Sequence, residues 1–345
     1  MWKRSWRGWL LKKLAKLAEL ALAAKGSEKV RLDLLIWDGR QWLQPAWLAG
    51  ARLQRAANAA AVLDFCVVKN GLLNFLEGAP VCLLADGEAV FKGRVFAKRR
   101  TQPELIKVRA FDQLRFLQNR DCCSFRDFTP ADLLKRVAAE NGLQLGRLAD
   151  CGLRLPARSY DNRPYLDMLT DVLREVYLAK GRRYFVYDAA GLICLQSCWD
   201  LRVNILLTEN CLGGWEYATS VDEGTYNRVK VIYEDKRKGE RRQFVAENAE
   251  KIADWGPLQL VSKNADAQEQ TQAKARELLQ QCCRRQETLL VRDVPGDLRV
   301  RGGSMVGVRL NLGERILDCW ALVKRAEHKF IGGNILMDLN LECIE

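Results

Sequence analysis

Alternation of apolar and polar residues with a period of two sets the character of the chain from residue 30 onward. Val30, Leu32 and Leu34 alternate with Arg31 and Asp33. Successive side chains of a strand point to opposite faces, so this pattern predicts a strand with one apolar face. Similar short runs recur about every ten residues between polar turns. Such spacing is typical of a small antiparallel barrel or sandwich.

The first strand is predicted to end in a hairpin. Trp37 is followed by Asp38 and Gly39, and the apolar pattern resumes in Arg40 to Leu43. Glycine accepts the positive φ that a type I′ turn requires, so we expect such a turn here. Further strands are predicted at Ala61 to Val68, Val81 to Leu84, Val90 to Ala97 and Leu105 to Ala110, with breaks at 69–71, 77–80, 86–87 and 101–103.

The middle third mixes helices with strands. Thr129, Pro130 and Asp132 are an N-cap, a first-turn proline and a capping-box partner, and they predict a helix that stops at Asn141-Gly142. The other predicted elements are a helix that begins near Asn162 to Pro164 and ends at Lys180-Gly181, and a hairpin of Arg183 to Tyr187 with Leu192 to Leu195.

The final third returns to strands. The predicted elements are strands at Tyr226 to Tyr233, Gln243 to Ala246, Val306 to Leu310, Ile316 to Glu327 and Ile335 to Leu341, with one helix at about Asp266 to Cys283. The order predicts an α+β, β-rich protein. Two strand-rich modules, 30–120 and 213–345, flank a small α+β module, 121–212, and a leader, 1–29, precedes them.

The positive charge is confined to the front of the chain. Of a net charge of +12, residues 1–31 hold nine basic and two acidic side chains, and residues 32–120 hold thirteen and eight. The remaining residues are balanced. A nucleic-acid-binding domain needs a concentrated basic surface, because phosphate contacts supply most non-specific affinity. The sequence offers no such domain after residue 120, and the surplus on 32–120 suggests a docking or channel-lining surface.

The leader has helical periodicity. Trp2, Trp6, Trp9 and a series of leucines share one stripe, with lysines off it. Lys12 and Lys16 interrupt any apolar run, so we expect neither a signal peptide nor a membrane span. An interfacial membrane helix, a helix docked on a partner and an extension from an early start codon remain open.

The sequence offers little catalytic chemistry. Its single histidine, His328, excludes a multi-histidine metal site and an HExxH helix. The GxxxxGK[ST], GxGxxG and GxSxG patterns do not occur. Gly302-Gly303-Ser304 lies between predicted strands and is interpreted as a turn or bulge, with anion binding through its backbone amides as the alternative. We predict no catalytic residue, no metal and no cofactor.

Cysteine and tryptophan are both abundant. The twelve cysteines contain no CxxC pair, so we expect reduced thiols that serve as small core residues. A metal or redox site is the alternative. The ten tryptophans are expected to anchor the core and subunit interfaces, since they bury large area at little entropy cost. Stacking on carbohydrate or bases is the other interpretation.

A collinear set of short motifs resembles the XkdQ/YqbQ-type phage tail proteins from about residue 30 to the C-terminus. The motif positions are Trp37, Asp38, Gly39, Gly78, Asp112, Gln113, Asn162, Tyr226, Asn227, Trp255, Gly256, Gly296, Asp297 and His328. Phe111 stands where the family often has tyrosine. The leader lies outside the resemblance.

The resemblance implies a baseplate hub of a contractile tail in a phage, a defective prophage or a tailocin. Such hubs are homotrimeric rings between the tail tube and the spike, and two tube-like β-modules per chain would match a six-fold tube. The implied partners are the tube protein, the spike protein, baseplate wedge proteins and a LysM-containing tail protein, with DNA at most passing through the channel. The chain would fold in the bacterial cytoplasm and end in the tail baseplate.

Two other functions remain as alternatives. The first is a tail-associated peptidoglycan hydrolase, because some tail hubs carry hydrolase domains. The second is a basic nucleic-acid-binding protein, for which the net charge is the motive.

Overall fold

A computed structural model describes residues 29–343, apart from residues 70, 72, 223, 236–239 and 265–267. The predicted leader therefore lies outside the described residues. The chain divides into two compact units, a first of residues up to 216 together with 289–345, and a second of residues 217–288. Within the described part, no helix has the length and apolar character needed to cross a membrane.

The chain is rich in strands and poor in helices, and the predicted α+β, β-rich class is confirmed. In chain order the strands are β1 (Leu32–Trp37), β2 (Trp42–Leu43), β3 (Ala51–Ala56), β4 (Val62–Val68), β5 (Pro80–Ala85), β6 (Glu88–Gln102), β7 (Leu105–Phe111), β8 (Arg120–Phe125), β9 (Leu145–Leu148), β10 (Arg158–Pro164), β11 (Tyr184–Asp188), β12 (Ile193–Ser197), β13 (Arg202–Leu207), β14 (Gly214–Ser220), β15 (Arg228–Asp235), β16 (Glu240–Glu247), β17 (Gln259–Asn264), β18 (Gln286–Pro295), β19 (Met305–Asn311), β20 (Ile316–Ile331) and β21 (Asn334–Cys343). The helices are α1 (Pro130–Asn141), α2 (Tyr165–Lys180), α3 (Ala249–Trp255) and α4 (Gln268–Cys282), with 3₁₀ helices at Gln113–Gln118 and Glu209–Cys211.

One large, mainly antiparallel sheet joins the early strands to the late ones. Its main path runs β14-β18-β21-β20-β3-β4-β7-β6-β5-β1-β2, with β19 on β20 and β13 on β19. The long strand β20 makes this connection, because its first half pairs with β19 and its second half with β3. The early strands also curve back on themselves, because the segment that follows β2 bonds to β4. The Leu48 amide donates to the Cys66 carbonyl at 2.8 Å, and the Val68 amide donates to the Ala46 carbonyl at 2.8 Å.

Two large apolar cores and a smaller cluster around Phe185 and Met305 support the first unit. One fills the curl of β1 and β3 to β7 with side chains such as Leu34, Phe65 and Phe91, and Phe330 of β20 is part of it. The other packs α1 and α2 against β11 and β12 through side chains such as Leu169 and Val172. A residue from the end of the chain thus completes a core built by its beginning.

The helix predictions of the middle third are confirmed except at one boundary. The Thr129 hydroxyl accepts from the Asp132 amide at 3.2 Å, the Asp132 carboxylate accepts from the Thr129 amide at 3.0 Å, and α1 ends at Gly142 with φ 64°. The predicted start of α2 near 162–164 is one residue early, since Pro164 is the N-cap. Those residues belong to β10, where Arg163 and Pro164 pair with β8, and the helix begins at Tyr165.

The hairpin of β1 and β2 forms, but the predicted type I′ turn at its tip does not. A type I′ turn needs positive φ at both central residues, and here Gly39 has φ 103° while Asp38 does not share that region. Instead, the Asp38 carboxylate accepts from the amides of Arg40 at 2.7 Å and Gln41 at 2.8 Å, which builds a longer Asx-type turn. The turn between β5 and β6 does have positive φ at both central residues, 50° at Asp86 and 85° at Gly87.

Some elements carry no clear pattern in the sequence. Strand β3 was not predicted, because Arg55 points inward beside Ala51 and Leu53 and breaks the apolar alternation. The predicted break at 101–103 is displaced, since β6 continues to Gln102 and pairs there with Leu105.

The second unit is a three-stranded sheet, β16-β15-β17, with α4 packed on β15 and β16. Val229, Val231, Ala275 and Leu278 are buried in it. The short helix α3 and strand β17 were not predicted.

Candidate functional site

Arg55 lies at the centre of a buried polar cluster in the first unit. Strand β3 carries it inward, and its guanidinium Nη2 donates to the carbonyls of Leu298 at 2.8 Å and Val300 at 3.1 Å. Only 6% of the residue is exposed. These two bonds tie the irregular segment 296–304 to β3, while the buried Nε of Arg55 has no hydrogen-bond partner among the described residues.

His328 holds the same segment from β20. Its Nε2 lies 2.9 Å from the Asp297 carbonyl oxygen, which can only accept, so Nε2 carries the proton. Nδ1 then faces Arg55 Nη2 at 3.5 Å with its lone pair. Burial and the neighbouring positive charge of Arg55 lower the pKa of His328 to about 3, and the imidazole is neutral. The neutral ring therefore has a structural role, as a hydrogen-bond donor to the backbone carbonyl of Asp297.

Asp297 is fixed on its other side. Burial opposes its ionisation, but hydrogen bonds from the Arg299 side chain and amide outweigh that effect and hold the pKa of Asp297 below its ordinary value. The guanidinium Nη2 of Arg299 lies 2.6 Å from the carboxylate. Asp297, which directly follows Gly296, and His328, which lies 31 residues further along the chain, therefore belong to one structural cluster.

Glycine is required where this segment crosses β3. A Cβ on Gly302 would lie 2.1 Å from the Ala57 nitrogen and 2.2 Å from the Ala56 carbonyl carbon. A Cβ on Gly296 would lie 2.3 Å from the Ile335 side chain. The Gly302 amide donates to the Arg55 carbonyl at 3.1 Å. The Gly302-Gly303-Ser304 stretch is thus a tight turn, as predicted.

Asp112 and Gln113 join the early strands to the middle of the chain. The Asp112 carboxylate accepts from the Ala61 amide at 2.9 Å and the Leu114 amide at 3.0 Å. Burial, with the charge of Asp188, raises the pKa of Asp112 despite these two bonds. The Gln113 amide group bonds both ways with the Gln144 backbone, at 3.2 and 3.1 Å.

Arg301 connects the same region to strand β11. Its Nη1 donates to the Asp188 carbonyl at 3.0 Å, and its guanidinium carbon lies 4.6 Å from the centroid of the Tyr187 ring. Neither Arg55 nor Arg301 was singled out as a site residue from the sequence. An arginine at an inward position of a strand was the available signal for Arg55.

The second unit has a buried polar residue of its own. Asn227 is fully buried, and its side-chain amide donates to the carbonyls of Lys251 at 3.0 Å and Gly256 at 2.7 Å. Its side-chain oxygen accepts from the Leu258 amide at 2.8 Å. One asparagine therefore fixes α3 and the turn after it, where Gly256 ends the helix at φ 75°.

The other motif positions of the second unit lie nearby in the chain. The Tyr226 amide donates to the Cys282 carbonyl at 3.1 Å, and the Lys251 ammonium lies 5.0 Å from the centroid of the Trp255 ring. These contacts fasten the ends of α3 and α4.

The remaining motif positions lie at turns and bulges. Trp37 stacks edge-on against Trp42 at 5.6 Å between ring centroids. Gly78 has φ 85°, and its amide donates to the Val95 carbonyl at 2.7 Å. Asn162 has φ 48° in the irregular part of β10. The structure does not bring these residues into the buried cluster.

The prediction that tryptophans anchor the core holds in part, because half-buried Trp47 and Trp320 pack against two of the core clusters. Among the described residues none is fully buried, and Trp42, Trp199 and Trp215 are 47%, 50% and 42% exposed. Their role as interface anchors stays a prediction. Of the twelve cysteines, five are buried and Cys122 is exposed, so the core interpretation holds for only some of them.

The chemistry of the buried cluster is structural. The buried Arg55 and His328 bond to backbone carbonyls, and the buried Asp112 bonds to backbone amides. Within the described ranges, no three His, Cys, Asp or Glu side chains are grouped so that they could hold a metal ion. What the arrangement does is fasten segments from the beginning, middle and end of the chain to one another.

Known proteins share this fold. A 43-kDa tail protein of prophage MuSo2 from Shewanella oneidensis matches with a TM-score of 0.64 at 12% identity, over 90% of this chain and 98% of that one. A tail protein of Neisseria meningitidis MC58 matches with a TM-score of 0.67 at 13% identity, over 90% and 96%. A type VI secretion component of E. coli, described as similar to the T4 tail proteins gp27 and gp5, has a TM-score of 0.52 at 9% identity, over 92% and 76%.

Sequence comparison gives the family. No curated protein matches the sequence. The model of the YQBQ-like family matches residues 53–342, which include the buried Arg55, the buried Asn227 and the segment that His328 holds. The family resemblance read from the short motifs is thereby confirmed, and this chain belongs to the YQBQ-like family.

Proposed function

We propose that the chain is a structural baseplate hub protein of a contractile phage tail or tailocin, and that three copies form a ring between the tail tube and the spike. The observation that carries the proposal is the share of known tail proteins that this fold matches. The folds of a prophage tail protein and of a second tail protein are matched over 98% and 96% of their own lengths, so the likeness involves their entire architecture.

The division of labour along the chain is part of the proposal. Residues 30–120 and 213–345 would serve as two tube-like β-modules, barrels or sandwiches, around the insert 121–212. Three chains would then present six similar modules to a six-fold tube. The exposed side chains of Trp42 and Trp215 are suited to protein contacts, because tryptophan is enriched at the centres of interfaces.

The proposed partners are a second and third copy of the chain, the tail tube protein, the spike protein and baseplate wedge proteins. A LysM-containing tail protein is a further expected neighbour, and DNA would at most pass through the channel. The proposed role is assembly without turnover. This role agrees with the buried cluster, because the charged groups there hydrogen-bond to the backbone and do not face a cleft. The chain would fold in the bacterial cytoplasm and be incorporated into the tail baseplate.

Light scattering coupled to size exclusion tests the ring directly. The full chain has a mass of 39.3 kDa, and we expect a particle of three times that mass, with a three-fold ring in electron micrographs. A monomer that persists at high concentration, with tube and spike proteins added, would overturn the proposal. Clearing of purified peptidoglycan by the protein alone would favour the hydrolase alternative instead.

A further inference from the structure

A groove of about 500 Å³ lies on the outer face of the early strands, entirely within the first unit. One wall is the segment that precedes β3, including Leu48 and Gly50. The floor consists of outward-facing side chains of β3, β4, β7 and β6. They form two cross-strand rows, Arg52-Asp64-Arg109-Ala97 and Cys66-Lys107-Arg99.

The first row is electrostatically satisfied. Arg109 makes a two-pronged ion pair with Asp64, with Nε and Nη2 at 2.7 and 2.9 Å from the two carboxylate oxygens. Arg52 lies 3.3 Å from the Glu327 carboxylate. These arginines have carboxylate partners from their own chain.

The second row is not satisfied. Lys107 and Arg99 are direct cross-strand partners, and both are exposed. Like charges placed directly opposite each other on a sheet are destabilising. Among the described residues, neither side chain has a carboxylate within ion-pair distance. Unfavourable charge pairs of this kind are concentrated at functional sites, because a binding partner can supply the opposite charge that the fold does not.

The wall of the groove adds an apolar contact. Leu48 is 41% exposed there, although its amide is held by the Cys66 carbonyl at 2.8 Å. Gly50 turns the chain at φ 97°, and its amide donates to the Phe330 carbonyl at 2.7 Å. The wall is therefore fixed by backbone bonds on both sides, and it presents a leucine beside two unpaired cations.

We propose that this groove binds an extended acidic segment of a partner protein, with carboxylates on Arg99 and Lys107 and an apolar side chain on Leu48. The volume is that of pockets that take small ligands or a few residues of a peptide. A nucleic acid would instead need a broad run of cations along its phosphates. Here Asp64 lies in the groove floor and Glu327 pairs with Arg52 at its side.

Binding of a labelled peptide to the full chain tests the proposal. The probe is a fluorescein-labelled, end-capped hexapeptide of alternating Glu and Leu, followed by anisotropy. We expect saturable binding that weakens with salt, and no binding of the same peptide with Gln in place of Glu. Lys107→Glu should weaken binding about tenfold or more, because it removes one cation and repels the probe.

The same variant separates binding from folding. Lys107→Glu replaces a repulsive cross-strand pair with an attractive one, so its melting temperature should equal or exceed that of the wild type. The matched control is Arg174→Glu, an equal change of charge at an exposed position of α2 outside the groove, which should leave peptide binding within about twofold.

Three results would overturn the inference. They are absence of saturable binding to the wild-type chain, equal loss of binding in Lys107→Glu and Arg174→Glu, and displacement of the peptide by lower concentrations of duplex DNA than of unlabelled peptide. The probe is defined by chemistry alone, so this test and the test of the trimeric ring can fail independently.

Discussion

Arg55 and His328 use their side chains in the same way, each bonding to backbone carbonyls of residues 297–300. That segment has no strand partner to satisfy its carbonyls, and buried carbonyls without partners are costly. Two side chains supply the donors, from strands β3 and β20, which are far apart in sequence but neighbours in the sheet. His328, which lies between Glu327 and Lys329 in the sequence, is here a neutral group that holds the backbone of this segment.

The neutral state of His328 predicts a pH dependence of stability. Its pKa in the folded chain is about 3, well below the ordinary 6.5, so only the unfolded chain binds a proton between these values. The free energy of unfolding should therefore fall as the pH drops below about 6.5. Relative to His328→Gln, which lacks the titrating ring, we expect the wild type to lose about 1.4 kcal/mol between pH 7.5 and 5.5.

Urea denaturation of both proteins across that range measures the difference. The comparison cancels the carboxylates, including the buried Asp112, whose raised pKa acts in the opposite direction. Parallel pH profiles for the two proteins would contradict a neutral, buried His328.

Gly302 should be intolerant of any side chain. Gly302→Ala places a methyl group 2.1 Å from the Ala57 nitrogen, and backbone cannot move aside cheaply. We expect a loss of about 3 kcal/mol or more in the free energy of unfolding, at the upper end of overpacking effects. Gly214→Ala is the control, because nothing lies within 4 Å of its Cβ position. It should change stability by less than about 0.5 kcal/mol in the same urea titration.

At the scale of elements, most boundaries follow from local chemistry. Helix α1 begins and ends where its caps place it, because Thr129, Asp132 and Gly142 act on the backbone within a few residues. Helix α2 begins later than predicted, because pairing of β10 with β8 extends the strand to Pro164. Local signals decide an end unless a distant strand competes for the same backbone.

Asn227 should govern the local stability of α3. Asn227→Ala removes three hydrogen bonds and leaves the carbonyls of Lys251 and Gly256 and the Leu258 amide without their partner. We expect hydrogen exchange of residues 249–258 to become at least about tenfold faster, with about 2 kcal/mol lost locally.

Asn227→Asp distinguishes the bonds from mere packing. It keeps the acceptor for Leu258 but loses both donors, so it should also speed exchange at α3, although its volume is nearly that of asparagine. Protection as in the wild type for Asn227→Asp would refute the role of the two donors.

At the scale of the whole molecule, the beginning of the chain depends on its end. Strand β3 pairs with β20 from Ala51 to Ala56, and Phe330 completes the core of the early strands. The module boundaries inferred from the sequence therefore separate segments that share one sheet. Their status as domains stays a prediction.

A fragment of residues 29–120 tests that dependence. Without β20 the fragment exposes an edge of β3 and leaves a hole in place of Phe330, so we expect it to show no cooperative thermal melt in circular dichroism. Joining residues 289–345 to it by a flexible linker should restore a cooperative transition. A cooperative melt of the short fragment alone would show that the late strands are dispensable for its folding.

The sequence by itself determined the β-rich class, the confinement of the positive charge, the caps of α1 and the family, because alternation, turn residues and ordered motifs act over short stretches of chain. It could not reveal that Arg55, Asp297 and His328 meet, or that Lys107 opposes Arg99 without a carboxylate partner. Those relations depend on strand register and on the return of β20 to β3, and only the tertiary structure fixes them. The interior placement of charge is decided by partners hundreds of residues away, since a buried charge is stable only where donors and acceptors converge.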